Sequence, residues 1–163
     1  TVAQMLMTGA DFENEERHTN FDNTLNRLLE FGVLPIINEN DTIATSEIKV
    51  GDNDTLSAII ATSANADLLI LLSDIDGLYT ADPRKDADAS LIPIVKEINE
   101  DIMNLAGTAG TSRGTGGMVT KLNAAQICMD AGIDMIIANG SNPEVLYDIF
   151  DGKSVGTRFT KKG

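Results

Sequence analysis

The sequence is poor in residue types that mark particular classes of protein. Its 163 residues include one cysteine, one histidine and no tryptophan, and aromatic residues make up only 4%. A single cysteine cannot form an internal disulfide framework. His18 has no second histidine or cysteine at metal-ligand spacing, so no resident metal ion is predicted.

Basic residues and long apolar runs are also scarce. The chain has 12 lysines and arginines against 25 acidic residues, a formal net charge of −13. Nucleic-acid partners require clustered basic residues, so we expect none. No apolar run approaches the roughly 18 residues of a membrane span, and no signal-like segment follows Thr1. We therefore expect a cytoplasmic protein that contacts no membrane.

The apolar residues that are present follow the pattern of an α/β domain. Four short apolar runs predict strands, at residues 2–8, 33–37, 68–72 and 135–138. The last three runs are continuously apolar, which is typical of parallel strands covered on both faces. Four periodic stretches predict helices, at about residues 20–31, 53–65, 117–131 and 143–150.

Three further segments do not fit this alternation. Residues 42–50 alternate between polar and apolar side chains, which suggests a small antiparallel excursion. Nine of the eleven residues 107–117 are Gly, Ser or Thr, which predicts a mobile loop. Residues 160–163 are expected to form a basic, loosely held tail after a single domain at residues 1–159.

Polar residues follow three of the predicted strands, at residues 38–41, 73–74 and 139–141. Ligands of open parallel sheets bind beyond the carboxyl ends of the strands. One polar turn is ordinary turn chemistry, but three in agreement predict a site at this edge. Asp52, Asn53 and Asp54 open the helix at residues 53–65, and capping needs only one acceptor. The structural and functional interpretations of these three residues both stay open.

Lys121 lies in the first turns of the helix after the glycine-rich segment. A cation there opposes the helix macrodipole by roughly a few tenths of a kcal/mol. A phosphate would offset this, because the amides of residues 115–118 could cradle its oxygens while Lys121 and Thr120 neutralise its charge. The spacing fits neither a Walker A motif nor a dinucleotide fingerprint. A flexible surface loop with a solvated lysine is the alternative.

Five sequence blocks resemble the amino-acid kinase family and occur in its order. They are Ile-Asn-Glu-Asn-Asp at 37–41, Glu-Ile-Lys-Val-Gly-Asp-Asn-Asp at 47–54, Leu-Leu-Ser-Asp at 71–74, Asp-Gly-Leu-Tyr-Thr-Ala-Asp-Pro-Arg at 76–84 and Gly-Thr-Gly-Gly-Met-Val-Thr-Lys at 114–121. The fourth block also occurs in uridylate kinases, whereas the first two are specific to members that phosphorylate glutamate. The resemblance runs from about residue 4 to about residue 159.

The resemblance implies a fold and an activity. The fold would be a three-layer αβα sandwich with a mostly parallel central sheet. The activity would be ATP-dependent phosphorylation of the side-chain carboxylate of L-glutamate, assisted by Mg²⁺, in the first step of proline biosynthesis. A homo-oligomer and feedback inhibition by proline are also implied. The alternatives are a member acting on a nucleotide monophosphate or on aspartate, and a non-catalytic domain that senses glutamate or proline.

The resemblance also implies roles for individual residues. The glutamate-binding residues would be Asn38, Asp41, Asp52 and Asn53. Asp54 would be the family's organising aspartate, and Lys121 would act on the transferred phosphoryl group. The ATP site would comprise Ser73, Asp74, Thr115, Gly116, Gly117, Met118, Val119, Thr120 and Lys121, with Tyr79 and Asp82 as further candidates. Phosphoryl transfer depends mainly on positioning and positive charge, which these residue types supply.

The opening segment of the family has no counterpart here. Members begin with a strand, a glycine-rich loop and a lysine that hold the β- and γ-phosphates, followed by a serine that contacts glutamate. The RNA-binding-like domain that some members carry after the kinase is also absent. We therefore expect the carboxyl-terminal part of a kinase domain, with its amino-terminal part missing and with weak or no activity alone.

Overall fold

Strands and helices alternate in the computed structural model, which describes residues 1–43, 52–108 and 115–161, with the backbone alone at 107, 108, 115 and 116. The strands are β1 (Val2–Met7), β2 (Leu34–Glu39), β3 (Leu68–Ser73), β4 (Ile94–Val95), β5 (Asp134–Asn139) and β6 (Thr157–Phe159). The helices are α1 (Gly9–Glu13), α2 (Glu15–Glu30), α3 (Asn53–Ser63), α4 (Glu100–Thr108), α5 (Thr115–Asp130) and α6 (Val145–Phe150).

The four predicted strands are confirmed as β1, β2, β3 and β5. The four predicted helices are confirmed as α2, α3, α5 and α6, but α2 begins five residues earlier than expected. Its start is set by Asn14, whose side chain accepts a hydrogen bond from the Arg17 amide at 3.0 Å. Glu15 and Glu16 then occupy the first turn, where the macrodipole favours negative charge.

The loop expected at residues 107–117 is shorter than predicted. Residues 107 and 108 belong to α4, and residues 115–117 belong to α5. Its remaining residues, 109–114, lie outside the described residues. The antiparallel excursion expected at residues 42–50 falls largely on residues 44–51, which also lie outside them.

The main sheet has the strand order β3-β5-β6-β4. Strands β3 and β5 are parallel, as are β4 and β6, whereas β5 and β6 are antiparallel. Strands β1 and β2 form a separate parallel pair. The expectation of mostly parallel pairing is therefore confirmed, with β6 reversing the direction.

Strand β5 is covered on both faces, which makes this region three layers deep. On one face Met135 and Ile137 pack in the cluster formed with α3 and α5. On the other face Ile136 and Ala138 pack with Ile149 of α6. No helix in the described parts of the chain is long and apolar enough to cross a membrane.

The β1–β2 pair is covered on only one face. There Met7 packs with Phe21 and Leu25 of α2. The opposite face, which we call the bare face, exposes four apolar side chains by 49–63%: Val2, Leu6, Leu34 and Ile36. The expectation that β2 is covered on both faces is therefore wrong within this chain.

The basic end of the chain is tied to β5 through Asp134. Its Oδ2 accepts hydrogen bonds from Arg158 Nη2 at 2.5 Å and Nε at 3.1 Å, and its Oδ1 accepts from the Lys161 amide at 2.9 Å. Burial alone would raise the pKa of Asp134, but the bonds from Lys161 and Arg158 outweigh it and lower the pKa below its ordinary value. The expectation of a loosely held tail is wrong for residues 160 and 161, and residues 162 and 163 lie outside the description.

Thr157 joins β6 to the segment between β3 and β4. Its buried hydroxyl accepts a hydrogen bond from the Leu78 amide at 2.8 Å and donates one to the Ile92 carbonyl at 2.7 Å. Gly77 allows this approach, since a Cβ there would lie 2.6 Å from Thr157 Oγ1 and its φ is +154°. The segment thus has a fixed position against the sheet.

Thr157→Val should destabilise the fold by about 2–4 kcal/mol, because it leaves a buried amide and a buried carbonyl without their partner. Thr157→Ser keeps the hydroxyl and should lose only about 1 kcal/mol. Denaturant-induced unfolding measures both free energies. Equal stabilities of the two variants would contradict the bridging role of the hydroxyl.

Candidate active site

The carboxyl ends of β3 and β5 meet at one edge of the main sheet. Their register pairs Ser73 with Asn139, and the Gly140 amide donates a hydrogen bond to the Ser73 carbonyl at 2.8 Å. The polar residues that follow these two strands therefore lie side by side, as predicted from the sequence. The third predicted set, residues 38–41, follows β2 in the separate strand pair and does not line the same edge.

A cavity of about 560 Å³ opens at this edge. Residues 73–79 and 81–84 form one part of its lining together with Asn139. Leu105 of α4 and Gly117, Met118 and Lys121 of α5 form the other part. The volume lies within the range of small-molecule and cofactor sites.

Lys121 at the rim of this cavity is paired with Asp54 of α3. Lys121 Nζ lies 3.0 Å from Asp54 Oδ2, and Thr120 Oγ1 donates a hydrogen bond to the same oxygen at 2.8 Å. The side chains of Lys121 and Asp54 are only 12% and 20% exposed, so water screens the pair weakly. Asp54 thus provides the negative charge beside Lys121. Because α5 begins at Thr115, Lys121 lies in its second turn, where the macrodipole penalty expected from the sequence is small.

Asp52 caps α3. Its Oδ1 accepts a hydrogen bond from the Thr55 amide at 2.7 Å, and its Oδ2 accepts one from the Thr55 hydroxyl at 3.1 Å. The structure therefore gives Asp52 the capping role that the sequence left open.

The remaining residues of the implied glutamate site lie apart from the cavity. Asn38, Asp41 and Asn53 are exposed, and none of them is among the residues that line it. The segment between Asp41 and Asp52 lies mostly outside the described residues. A glutamate site formed by these residues stays a prediction.

The structure brings together most of the residues implied for ATP. Seven of them line the cavity: Ser73, Asp74, Tyr79, Asp82, Gly117, Met118 and Lys121. Val119 packs against the core instead, and Thr120 contacts Asp54. The side chains of Thr115 and Gly116 are not described, although both residues open α5.

The sequence argument missed Asp76 as a site residue. Asp76 accepts hydrogen bonds from the Tyr79 hydroxyl at 3.0 Å and from Asn139 Nδ2 at 2.9 Å. The bond to Asp76 is the largest cause that raises the pKa of Tyr79, and burial and the charge of Asp76 add to it. The signal in the sequence was the repeated acid in Asp-Ile-Asp directly after β3.

Asp82 anchors the turn on the same side of the cavity. It is only 5% exposed and accepts bonds from Arg84 Nε at 3.0 Å, Nη2 at 3.1 Å and the Arg84 amide at 3.1 Å. Lys85 Nζ lies 3.7 Å away. The side-chain bonds from Arg84, followed by its amide bond, lower the pKa of Asp82 below its ordinary value.

The three-layer architecture and the edge cavity define an α/β domain with a ligand-sized site at the carboxyl ends of two parallel strands. The chain belongs to the amino acid kinase family, whose profile matches residues 1–139. The glutamate 5-kinase of Clostridium tetani (strain Massachusetts / E88) is 56% identical to it over 159 residues, which cover 98% of this chain and 60% of that protein. The glutamate 5-kinase of Caldanaerobacter subterraneus subsp. tengcongensis is 53% identical over 97% of this chain and 42% of that protein. The chain thus spans about half the length of the curated relatives it matches.

Solved structures confirm the expected fold. Carbamate kinase from Giardia lamblia bound to AMP-PNP matches with a TM-score of 0.63 at 22% identity, over 86% of this chain and 49% of that chain. UMP kinase from Ureaplasma parvum matches with a TM-score of 0.61 at 19% identity, over 86% of this chain and 53% of that chain. At such identities the matches establish the αβα sandwich alone.

Asp52→Ala should destabilise the chain by about 1 kcal/mol, because α3 loses its N-cap acceptor. Asp52→Asn retains an acceptor and should change stability by only about 0.3 kcal/mol. Asn53→Ala, at the adjacent exposed position, provides the matched control. Urea-induced unfolding compares the three, and equal stabilities of Asp52→Ala and Asn53→Ala would contradict the capping role.

Asp82→Asn should lower stability at pH 7 and lose this effect in acid. Because folding lowers the pKa of Asp82 from its ordinary value near 3.8, its contribution is present above about pH 4 and disappears as pH falls through the lowered pKa. Unfolding free energies measured from pH 7 to pH 2 should converge for parent and variant. Substitution of the exposed Asp88 by Asn, in the same loop, is the control. A difference in unfolding free energy between the parent and Asp82→Asn that does not change with pH would refute the pairing of Asp82 with Arg84.

Proposed function

We propose that this chain forms the nucleotide-binding part and one side of the glutamate site of a glutamate 5-kinase. The reaction would transfer the γ-phosphoryl group of ATP to the side-chain carboxylate of L-glutamate, giving glutamyl 5-phosphate and ADP. The observation that carries the proposal is the Lys121–Asp54 pair, 3.0 Å apart at the rim of a nucleotide-sized cavity. The 53–56% identity to two glutamate 5-kinases supports the choice of substrate.

The charges around the cavity support one orientation of the nucleotide. Lys121 and Gly117, near the start of α5, lie where backbone amides and an ammonium group favour phosphate. Asp74 contributes a carboxylate to the other part of the lining, where it would repel phosphate but accept hydrogen bonds from sugar hydroxyls or base amino groups. The transferred phosphoryl group would therefore lie beside Lys121.

Lys121 would stabilise the transferred group electrostatically. A carboxylate oxygen of glutamate attacks the γ-phosphorus, the bond from that phosphorus to the bridging oxygen breaks, and the electron pair leaves with ADP. Negative charge on the moving group is stabilised by a cation fixed in advance. Asp54 and Thr120 would act through Lys121, because their contacts fix its position.

The described residues are compatible with a Mg²⁺ ion that is bound mainly by the nucleotide. None of them form a cluster of three or more His, Cys, Asp or Glu side chains suited to a metal ion. Mg²⁺ in kinases is bound by phosphate oxygens and water with one or two protein carboxylates. When bound it would neutralise phosphate charge, and Lys121 would remain the cation supplied by the protein.

The remaining parts of the proposal follow from the same assignment. Glutamate would be bound by Asn38, Asp41, Asp52 and Asn53, whose carboxylates and amides suit its ammonium and carboxylate groups. The product would enter proline biosynthesis, and proline would be a feedback inhibitor. We also propose a homo-oligomer in the cytoplasm.

Isothermal titration calorimetry of the chain tests the assignment of ligands. We expect binding of a non-hydrolysable ATP analogue and of glutamate, and much weaker binding of aspartate or UMP. Preference for UMP or aspartate would favour another member of the family. Binding of glutamate or proline with no nucleotide binding would refute the kinase assignment and favour a sensing domain.

Lys121→Ala in the kinase should lower kcat at least about a hundredfold, because a fixed cation is lost from the transition state. KM for glutamate should change by less than about threefold, since Lys121 contacts the transferred group. The rate is measured by trapping the acyl phosphate with hydroxylamine. Lys121→Arg keeps the charge as a control, and an unchanged maximal rate in Lys121→Ala would remove Lys121 from its assigned role.

A further inference from the structure

Asp76 connects two segments of the cavity lining that are far apart in sequence. Its Oδ2 accepts a hydrogen bond from the Tyr79 hydroxyl at 3.0 Å, and its Oδ1 accepts one from Asn139 Nδ2 at 2.9 Å. Tyr79 lies in the segment after β3, whereas Asn139 ends β5. Both oxygens of one exposed carboxylate are therefore engaged in holding two residues that line the cavity.

The partners of Asp76 are themselves fixed by the backbone. Tyr79 forms an antiparallel bridge with Leu91, so the base of its side chain is held by the segment leading to β4. Asn139 Oδ1 accepts a hydrogen bond from the Ser141 amide at 2.9 Å, which orients its Nδ2 toward Asp76. Tyr79 is thus held at two points. Its hydroxyl is hydrogen-bonded to Asp76, and its backbone pairs with Leu91.

We infer that Asp76 is a positioning residue that holds Tyr79 and Asn139 as a preformed wall of the nucleotide cavity and thereby raises its affinity for nucleotide. This inference rests on the proposed function, because it takes the ligand to be a nucleotide. A wall that is already ordered binds more tightly, since less side-chain freedom is lost when the ligand enters. The cost of ordering two freed side chains again when the ligand enters would weaken binding roughly tenfold.

The composition of the chain allows Tyr79 to be observed alone. The sequence has no tryptophan and only two tyrosines, Tyr79 and Tyr147. Tyr147 is 74% exposed on α6, so Tyr147→Phe should leave the fold intact. In this background the absorbance of ionised tyrosine reports Tyr79 only, and circular dichroism shows the pH range in which the fold persists.

The first measurement is the titration of Tyr79 in three proteins: Tyr147→Phe alone, with Asp76→Ala, and with Asp74→Ala. In the background protein the pKa of Tyr79 should lie above the ordinary value of 10.0, because the protonated hydroxyl donates a hydrogen bond to Asp76. Asp76→Ala should return the pKa toward 10.0. Asp74→Ala removes a carboxylate from the same cavity without touching the acceptor of Tyr79, and should leave the titration unchanged.

The second measurement is the affinity for the ATP analogue by calorimetry. Asp76→Ala should weaken binding at least about tenfold, because it frees both Tyr79 and Asn139, and Tyr79→Phe should weaken binding by no more than that. The double variant should bind no more weakly than Asp76→Ala alone, because the bond that Tyr79→Phe removes is one that Asp76→Ala has already removed. If the two residues acted independently, the double variant would instead bind about a hundredfold more weakly than the background protein. A merely structural role of Asp76 would lower stability without this coupling.

The outcomes separate the two proposals. If Asp76→Ala leaves both the Tyr79 titration and the affinity at background values, or if the two substitutions multiply, the inference is overturned while the kinase assignment stands. If the background protein binds no ATP analogue at all, the proposed function fails and the inferred effect on nucleotide affinity fails with it. The Tyr79 titration still decides whether Asp76 holds the tyrosine in that case.

Discussion

The ion pair between Asp54 and Lys121 is the interaction on which the site depends, because it joins the first turn of α3 to the second turn of α5. Asp54 lies in the first turn of α3, where the macrodipole stabilises a carboxylate. Lys121 is the seventh residue of α5 and lies beyond the first turn, to which the macrodipole effect is confined. Its charge is compensated by Asp54 across the two helices, and the cation is held beside the cavity before any ligand arrives.

Helices α3 and α5 both contribute small side chains to the main core. Ala58 and Ala61 of α3 and Ala124 and Ala125 of α5 are buried in the same cluster. Around this core, the other part of the cavity lining is made of loops fixed by single polar anchors. Thr157 holds the Leu78 amide, and Asp82 holds the Arg84 turn. Functional side chains on loops with a rigid support are a common arrangement in enzymes.

The sequence predicted the long elements well and the short ones poorly. Strand β5 was recognisable because an apolar run buried on both faces leaves an unbroken pattern, and α5 because its apolar residues recur at helical spacing. Strands β4 and β6 have two and three residues, too few to show any period. Helix α1 has five residues, and α4 runs into the Gly, Ser and Thr residues that predicted a loop.

The residues of the candidate site were predicted more fully than their contacts. Lys121 was recognised from its place after the glycine-rich segment, but its partner Asp54 is 67 positions away in sequence, and only the family resemblance indicated that Asp54 organises the lysines of the site. No local pattern reports such a distance. Asp76 was not predicted as a site residue for a related reason. Its partner Asn139 belongs to another strand, and an aspartate at this position is by itself typical of a turn.

The bare face of β1 and β2 has a consequence for how copies of this molecule meet. Its four exposed apolar side chains carry no charge, while the molecule as a whole carries −13, so at moderate ionic strength mutual repulsion weakens contact between the bare faces of two copies. Added salt shortens the reach of that repulsion from about 8 Å at 0.15 M to about 3 Å at 1 M and leaves the attraction between apolar surfaces in place. High salt concentration should therefore favour self-association of the chain through the bare face.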